Sequence, residues 1–195
     1  MSLIGQKTKS DYIEWEKLQT LTQKLERDGD WKFCLLITTG MYTGLRISDL
    51  LSLRWKDILN RDNIEVTEKK TKKVRKILLN QHLQETVLRI SGKINRFDPE
   101  KFIFLNRFGK KPISPQFVNW KLKELVKKYQ VVKDSSRVKS HSIRKSFGRR
   151  VFENNDSNEK SLILLNEIFN HSSIKTTKIY LGIRDKEIQD VYQNL

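Results

Sequence analysis

The chain has 195 residues, of which 37% are hydrophobic, and it contains only eight Gly and three Pro. This composition excludes a disordered or collagen-like chain and predicts a globular protein that needs no disulfide or metal to fold. Lys and Arg number 39 against 23 Asp and Glu, a net charge of +16, which favours nucleic acid as a partner over an acidic membrane surface. The sequence shows no signal peptide and no apolar run long enough to span a bilayer, so we expect no membrane contact and a cytoplasmic location.

Cysteine and histidine usage argues against a metal site. Cys34 is the only cysteine and lies in an apolar stretch, so it is predicted to be a core residue. His82, His141 and His171 lie far apart along the chain and show no metal-ligand spacing. No Gly-rich nucleotide loop is present either, so the sequence predicts no metal, nucleotide or other cofactor.

The N-terminal part of the chain predicts helices. Residues 11–27 carry an apolar stripe at helical spacing, and residues 31–42 are apolar nearly all round, as in a buried helix. Gly44 interrupts this pattern, and a short helix is expected over 46–53.

Beyond residue 60 the apolar period changes from helical to two. Residues 64–66 and 74–79 alternate and predict two antiparallel strands. The stretch 68–73 between them reads as a basic turn that is too charged to pack. A helix over 81–91 and a short strand over 101–105 follow.

The C-terminal half predicts a series of helices. Ser114 and Pro115 supply an N-cap and a first helical residue, and a helix with a continuous apolar face follows them. After a polar loop, further helices are expected over 141–153, 160–169, 174–181 and 185–193. The predicted fold is mainly α with a small antiparallel β-hairpin (α+β). We expect one domain over 1–195, with 1–10 as a flexible leader.

Two N-terminal segments carry groups suited to phosphate chemistry. Arg46 and Asp49 share a helical face, and a guanidinium held by a carboxylate can grip two phosphate oxygens. The hairpin turn supplies the lysines Lys69, Lys70, Lys72 and Lys73, any of which can steer phosphate or, with a lowered pKa, donate a proton. Alone, each segment equally fits an ordinary ion pair or a solvated basic loop.

Two C-terminal segments add candidate catalytic groups. His141 and Arg144 lie three residues apart on one helical face and offer a proton shuttle beside a positive charge. His171 precedes Tyr180 by nine residues, room for a turn and two helical turns. An isolated tyrosine at a helix end is usually a packing residue, so only the combination of segments gives Tyr180 a chemical interpretation.

In order, type and spacing these four segments resemble the tyrosine recombinase family, also called the phage integrase family. The resemblance covers Arg46 to Tyr180, about two-thirds of the chain, and implies the fold of that family's catalytic domain. Family members usually carry an additional N-terminal domain that clamps DNA. We expect that domain to be absent from this sequence.

The resemblance also implies the role of each candidate residue. Tyr180 is then the nucleophile, Arg46 and Arg144 hold the scissile phosphate, and Lys70, which precedes Thr71, is the general acid. His141 and His171 are hydrogen-bonding and proton-transfer partners, and Asp49 supports Arg46. Lys69, Lys72, Lys73 and Lys145 are candidate DNA-binding residues.

Three positions depart from the family's commonest pattern. Lys72 stands where a small residue usually follows the hairpin Lys-Thr, and Lys145 stands where a histidine often follows the second arginine. Phe169 and Asn170 replace a frequent Leu-Gly before His171. None of these changes removes a catalytic group.

The resemblance implies site-specific recombination of double-stranded DNA through a 3′-phosphotyrosyl intermediate. It also implies a homotetramer that assembles from monomers on DNA. A mobile-element, phage, bacterial or archaeal origin is expected. The last helix docks on a neighbouring protomer in such an assembly, although packing on its own domain fits the sequence equally. One alternative is a type IB topoisomerase, which shares the chemistry; His141 and the short spacing from His171 to Tyr180 favour the recombinase. A non-catalytic DNA-binding regulator and, more distantly, an RNA-binding domain are the others.

Overall fold

The computed structural model describes residues 10–68, 72–94, 98–155, 157–183 and 192–193. Lys69, Lys70 and Thr71 lie outside the described residues, as do positions 1–9 of the expected leader and nearly all of the helix expected over 185–193. In chain order the helices and strands are α1 Trp15–Arg27, α2 Trp31–Thr43, α3 Ile47–Leu50, α4 Trp55–Ile58, β1 Asn63–Thr67, β2 Val74–Leu78, α5 Gln81–Ser91, α6 Pro115–Lys128, α7 Ser140–Asn154, α8 Glu159–Phe169 and α9 Ile174–Leu181.

Helix α2 lies at the centre of the larger of two hydrophobic clusters and packs against α1, α5 and α7. Its side chains are buried almost all round, as its uninterrupted apolar sequence predicts. Cys34 is part of this core, and burial raises the pKa of its thiol to about 11. The predicted structural role of Cys34 is therefore confirmed.

A second, smaller cluster is built from the C-terminal helices. Phe152, Leu165, Phe169 and Leu181 are buried in it, and α8 packs on both α7 and α9. Helix α7 joins the two clusters because its Ile143 packs in the first, while its C-terminal half packs in the second. The two ends of α7 therefore fix the N-terminal and C-terminal parts of the chain relative to each other.

The predicted hairpin is present as a two-stranded antiparallel sheet. Strands β1 and β2 pair in the register Asn63 with Leu78, and Ile64 and Val66 are buried on the inner face. The main chain of Glu68 bonds that of Lys72 and Lys73 and closes the turn. The prediction of a mainly helical fold with a small β-hairpin is confirmed.

Three details of the predicted secondary structure are wrong. Helix α1 begins at Trp15 and not at residue 11, because the N–H and carbonyl of Ile13 bond the hydroxyl of Ser146 on α7 and hold this segment out of a helix. The helix expected over 46–53 is confined to α3, and the separate short helix α4 begins only at Trp55. Residues 101–105 form no strand, because they bridge two different neighbours at single points, Arg54 with Phe102 and Leu105 with Pro112.

The later helices follow the sequence closely. Helix α6 begins after Ser114, whose hydroxyl accepts a hydrogen bond from Phe117 N at 3.1 Å. Helices α5, α8 and α9 match their expected bounds to within one residue. Ser10, at the end of the expected leader, is buried and bonds to α7 through its carbonyl.

Candidate active site

A glycine turn brings the two candidate phosphate-binding arginines together. Gly44 ends α2 with a left-handed backbone (φ 59), and a Cβ on it would lie 2.4 Å from Phe147 Cδ1 on α7. Only glycine satisfies both the backbone conformation and this close approach. Arg46 follows two residues later, and the Gly44 carbonyl accepts a hydrogen bond from Nη1 of Arg144. Segments about a hundred residues apart thus meet at one turn.

Both guanidinium groups also converge on the carbonyl oxygen of Phe169, the last residue of α8. Nη2 of Arg46 donates to this oxygen at 3.0 Å, and Nη2 of Arg144 donates to it at 3.3 Å. Carbonyls in the last turn of a helix have no partner within the helix and carry partial negative charge, so they attract cations. The end of α8 therefore holds both arginines at the carbonyl of Phe169, which lies two residues before His171 in the chain.

The ion-pair partner that the structure gives Arg46 is Glu68, at the end of β1. Nη1 of Arg46 donates to Oε2 of Glu68, and Nη1 of Arg75 on β2 donates to Oε1 at 3.2 Å. Glu68 is only 1% exposed, so the expectation that the whole turn is too charged to pack is wrong for this residue. A carboxylate tolerates such burial because two guanidinium groups pair with it.

Sequence reasoning missed Glu68 although a signal for it exists. Glu68 follows Ile64 and Val66 at intervals of two, which continues the inward phase of β1. Asp49, the predicted supporter of Arg46, is buried, and its Oδ1 accepts a hydrogen bond from Ser48 Oγ at 3.2 Å. Its supporting role stays a prediction.

Arg144 differs from Arg46 in its surroundings. It is 5% exposed, its guanidinium carbon lies 4.4 Å from the centre of the Phe169 ring, and main-chain carbonyls accept its hydrogen bonds. Among the residues that the structure describes, no carboxylate forms an ion pair with it. Burial lowers the pKa of Arg144 to about 10, so the group remains protonated at neutral pH. The site therefore contains a buried positive charge with no directly paired carboxylate.

Tyr180 lies beside this charge, near the end of α9. Its ring packs edge-on against His171 at 5.1 Å and against Phe169 at 5.4 Å between ring centres. Its hydroxyl is buried and has no hydrogen bond of ordinary geometry to the described residues. Burial raises the pKa of Tyr180 to about 12, although the positive charges of Arg144 and Arg46 act in the opposite direction.

The two candidate histidines occupy different environments. His141 is exposed in the first turn of α7, yet the surrounding protein removes part of its hydration and lowers its pKa. Arg144, Lys145, Lys139 and Arg46 lower that pKa further by charge repulsion, which favours the neutral ring. His171 is partly buried, and its Nδ1 lies 3.0 Å from Oγ1 of Thr177.

The candidate DNA-binding lysines are dispersed. Lys72 is exposed at the hairpin turn, while Nζ of Lys73 donates to Oδ1 of Asn170 at 3.1 Å. Nζ of Lys145 lies 5.2 Å from the centre of the Tyr180 ring and donates to the carbonyl of Ser10 at 2.7 Å. Their binding to DNA stays a prediction, as does the role of Lys70, which lies outside the described residues.

Two of the residues that depart from the family pattern, Lys72 and Asn170, share one backbone property. Lys72 has a φ of 59 and Asn170 a φ of 50, both in the left-handed region. Glycine reaches this region without a steric penalty, which explains why a small residue is common at both positions. Asparagine tolerates it better than lysine does.

The charge balance of the described site is strongly positive. Arg46 and Arg75 pair with the carboxylate of Glu68, and Arg144 lies near enough to feel its charge. In the part of the chain that the structure describes, no three His, Cys, Asp or Glu side chains cluster as metal ligands. No helix there is both long and apolar enough to cross a membrane. This arrangement can bind a phosphate through guanidinium groups beside a tyrosine hydroxyl.

Comparison with known proteins decides the family. Residues 12–187 match the phage integrase family. The chain belongs to this family. The match contains Arg46, Glu68, His141, Arg144, His171 and Tyr180.

Curated relatives carry recombinase and integrase names. The chain is 29% identical over 184 residues to the probable integrase/recombinase YoeC of Bacillus subtilis, and the match covers 91% of the chain and 92% of the relative. It is 30% identical over 155 residues to the tyrosine recombinase XerD of Halalkalibacterium halodurans, covering 77% of the chain and 49% of the relative. The chain thus spans nearly all of the first relative and about half of the second.

Solved structures share the fold. The XerA recombinase superposes with a TM-score of 0.69 at 20% identity, covering 94% of this chain and 64% of that one. The Tn1549 transposon integrase in complex with transposon right end DNA superposes with a TM-score of 0.68 at 22% identity, covering 93% and 66%. The predicted tyrosine recombinase catalytic domain is confirmed, and the comparisons do not favour the topoisomerase or the non-catalytic regulator.

Proposed function

We propose that this chain cleaves and rejoins double-stranded DNA in site-specific recombination, with Tyr180 as the nucleophile. The observation that carries the proposal is the buried guanidinium of Arg144, whose hydrogen bonds go to main-chain carbonyls and which lies beside the Tyr180 hydroxyl. A DNA phosphate supplies the anion that such a site lacks and places phosphorus next to the nucleophile. Membership of the phage integrase family supports the same chemistry.

In the proposed reaction the Tyr180 oxygen forms a bond to the scissile phosphorus, and the bond from phosphorus to the 5′ oxygen breaks. The tyrosine proton passes to His141 or His171, and Lys70 gives a proton to the departing 5′ oxygen. The products are a 3′-phosphotyrosyl link and a free 5′ hydroxyl. A 5′ hydroxyl reverses the step, and because the ester is exchanged and not hydrolysed, rejoining requires no nucleotide cofactor.

The arginines supply the electrostatic part of catalysis. Negative charge accumulates on the phosphate oxygens in the transition state, and guanidinium groups held in place in advance stabilise it without reorganisation. Arg46 and Arg144 are each fixed by at least two hydrogen bonds. Such a pair performs this task without a metal ion.

We further propose that the active assembly is a homotetramer on duplex DNA, formed from monomers in the cytoplasm. The net charge of +16 supports DNA as the partner. The XerH recombinase has been solved bound to its difH substrate, and the matching fold supports a similar use of this chain. The chain spans only about half of several curated relatives, so the assembly is proposed for the whole protein.

The decisive experiment uses nicked or 5′-phosphorothiolate duplexes with candidate target sites, including the sequences that flank the source element. Wild-type protein is expected to form a covalent adduct that survives denaturing electrophoresis, and Tyr180→Phe is expected to form none. The matched control is Tyr129→Phe, which removes a hydroxyl bonded to Asp28 at the end of α1 and is expected to leave the adduct intact.

An adduct that persists in Tyr180→Phe contradicts the assignment of the nucleophile. Duplex binding by the wild type without an adduct on any nicked substrate supports the regulator instead. Relaxation of supercoiled DNA that lacks a specific site supports the topoisomerase.

A further inference from the structure

His171 is connected through one ring nitrogen to a two-residue relay. Its Nδ1 lies 3.0 Å from Oγ1 of Thr177 on α9, and that hydroxyl lies 3.0 Å from Oδ1 of Asn166 on α8. Thr177 is fully buried. None of the sequence motifs singled out Thr177 or Asn166, so the relay joins the site only through the tertiary structure.

The main chain fixes the geometry of this relay. His171 N donates to the carbonyl of Asn166 at 3.1 Å, and Thr177 N donates to the carbonyl of Ser173 at 3.2 Å. Ser173 also caps α9 by accepting from Thr176 N at 3.1 Å. Main-chain hydrogen bonds therefore hold His171 against α8 and fix Thr177, the partner of its imidazole, in α9.

The hydrogen-bond inventory of the relay determines the position of the proton on His171. The Thr177 hydroxyl has one proton, and it donates this proton to the carbonyl oxygen of Asn166. Towards His171 the same oxygen then acts as an acceptor, so Nδ1 must carry a proton. A neutral imidazole has only one N–H, and the second nitrogen, Nε2, then carries a lone pair.

We propose that Thr177 and Asn166 are positioning residues that hold His171 in its Nδ1–H form and make Nε2 the atom through which it exchanges protons. The proposal deepens the proposed function, because it rests on His171 taking part in proton transfer. In this form the neutral ring accepts a proton at Nε2, and the protonated ring donates it from the same atom. Tyr180, whose ring packs edge-on against His171 at 5.1 Å, is the reacting group beside it.

The position of the proton can be measured without DNA. In the full chain labelled with ¹⁵N-histidine, the two ring nitrogens of a neutral histidine report directly which of them carries hydrogen. A spectrum of His171→Gln assigns the His171 signals among the three histidines. The wild type is expected to show a protonated Nδ1. A wild type with a protonated Nε2 overturns the proposal.

Substitutions distinguish a hydrogen-bonding role of Thr177 and Asn166 from a role in packing alone. Thr177→Val keeps the shape and removes the acceptor, and its His171 is expected to shift towards the Nε2–H form that imidazole prefers in water. Thr177→Ser retains a hydroxyl and is expected to restore the wild-type pattern. Asn166→Ala tests the second link and provides an independent result if Thr177→Val does not fold. A tautomer unchanged in both Thr177→Val and Asn166→Ala contradicts the proposal.

The catalytic consequence is measured as the rate of adduct formation. Proton transfer by a positioned group contributes about 10²–10⁴-fold, and a wrong tautomer removes much of that. Thr177→Val is expected to slow cleavage by roughly 10- to 100-fold, with most of the rate recovered in Thr177→Ser. Thr176→Val, which alters an exposed neighbour on the same helix, is the matched control and is expected to cleave at the wild-type rate. Equal rates in Thr177→Val and Thr176→Val also overturn the proposal.

The function of Tyr180 and the role of Thr177 and Asn166 can be tested independently of each other. If the wild type shows the Nδ1–H form but makes no adduct with DNA, the proposed function fails and the relay fails as a catalytic device. If the adduct forms and vanishes in Tyr180→Phe while His171 is in the Nε2–H form, the function stands and the relay is wrong.

Discussion

The two candidate phosphate-binding arginines lie at the same helix end and both donate to the carbonyl of Phe169, but they differ in their second partner. Arg46 pairs with the buried carboxylate of Glu68, which it shares with Arg75. Arg144 is held by the carbonyls of Gly44 and Phe169, and within the described part of the chain it has no carboxylate in an ion pair.

Because of this difference, we expect the two arginines to perform different tasks. Glu68 compensates much of the positive charge around Arg46 and fixes its orientation, since a paired guanidinium has few alternative positions. The hydrogen bonds of Arg144 go to carbonyl dipoles and not to a carboxylate, so it is the stronger attraction for an anion. We infer that Arg46 contributes mainly geometry and Arg144 mainly charge.

The largest expected effect comes from substituting Arg144. Arg144→Lys keeps the charge but loses the planar fork that reaches two oxygens, and we expect adduct formation to slow by about 10²–10³-fold, as for other transition-state donors. The measurement is single-turnover cleavage of a nicked substrate. Arg150→Lys, which changes a partly exposed arginine on the same helix that pairs with Glu16, is the control and should cleave normally. Cleavage by Arg144→Lys at the wild-type rate contradicts the inference.

The second largest expected effect comes from removing the carboxylate that pairs with Arg46. Glu68→Gln leaves two guanidinium groups without their carboxylate, and removal of one partner of a fully buried pair costs about 3–5 kcal/mol. The side chains of Arg46 and Arg75 each keep 19% of their surface exposed. We therefore expect a smaller loss of unfolding free energy, about 2–3 kcal/mol. Urea denaturation measures it.

The control for this prediction is Arg144→Met, which breaks no carboxylate pair. Methionine loses two hydrogen bonds to carbonyls but also removes the desolvation cost of a buried charge that has no carboxylate partner, and the second effect offsets the first. Arg144→Met should therefore unfold at the same urea concentration as the wild type or a higher one. If Arg144→Met loses more stability than Glu68→Gln, the contrast between the two arginines is wrong.

A smaller effect concerns the hairpin that carries Glu68. Lys72 lies in the left-handed region, which is unfavourable for a residue with a Cβ by about 1–2 kcal/mol. Glycine relieves this strain but has more conformational entropy in the unfolded chain, so we expect Lys72→Gly to stabilise by about 0.5–1 kcal/mol. Lys72→Ala removes the same charge and keeps the Cβ. Equal thermal stability of the two variants excludes backbone strain as the cause.

The smallest expected effect is that of the positive charge around Arg144 on the pKa of His141. The pKa of His141 lies below its ordinary value of 6.5, because of lost hydration and then of repulsion by Arg144 and Lys145. Below pH 6.5 the unfolded chain binds a proton that the folded chain resists, so this group lowers stability as pH falls and has no effect above that range. An NMR titration of the ring should find its midpoint below that of a free histidine.

Removing one of the repelling charges tests the cause of that shift. Lys145→Gln takes away a positive neighbour four residues along α7, and we expect it to raise the His141 midpoint. The control is Lys128→Gln at the end of α6, which is not among the charges that act on His141 and should leave the midpoint unchanged. A midpoint that does not move in Lys145→Gln would falsify the assigned cause.

Much of the fold follows from local patterns in the sequence. The continuous apolar run of α2, the Ser-Pro start of α6 and the alternation of the hairpin strands each appear where predicted. Errors occur where contacts with distant residues decide the conformation. Ile13 lies outside α1 because it bonds Ser146, and residues 101–105 bridge two different segments. Such contacts have no periodic signature within one segment.

The amino-acid sequence by itself determined the types, order and spacing of Arg46, His141, Arg144, His171 and Tyr180, and these suffice to indicate the family. The tertiary structure alone decided how these groups are held. Glu68 pairs with Arg46 across 22 positions, and the Phe169 carbonyl reaches Arg46 across 123. A main-chain carbonyl is present in every residue, so its chemistry cannot mark Phe169 in a sequence. Only the folded chain places that oxygen, Thr177 and Asn166 beside the groups that they position.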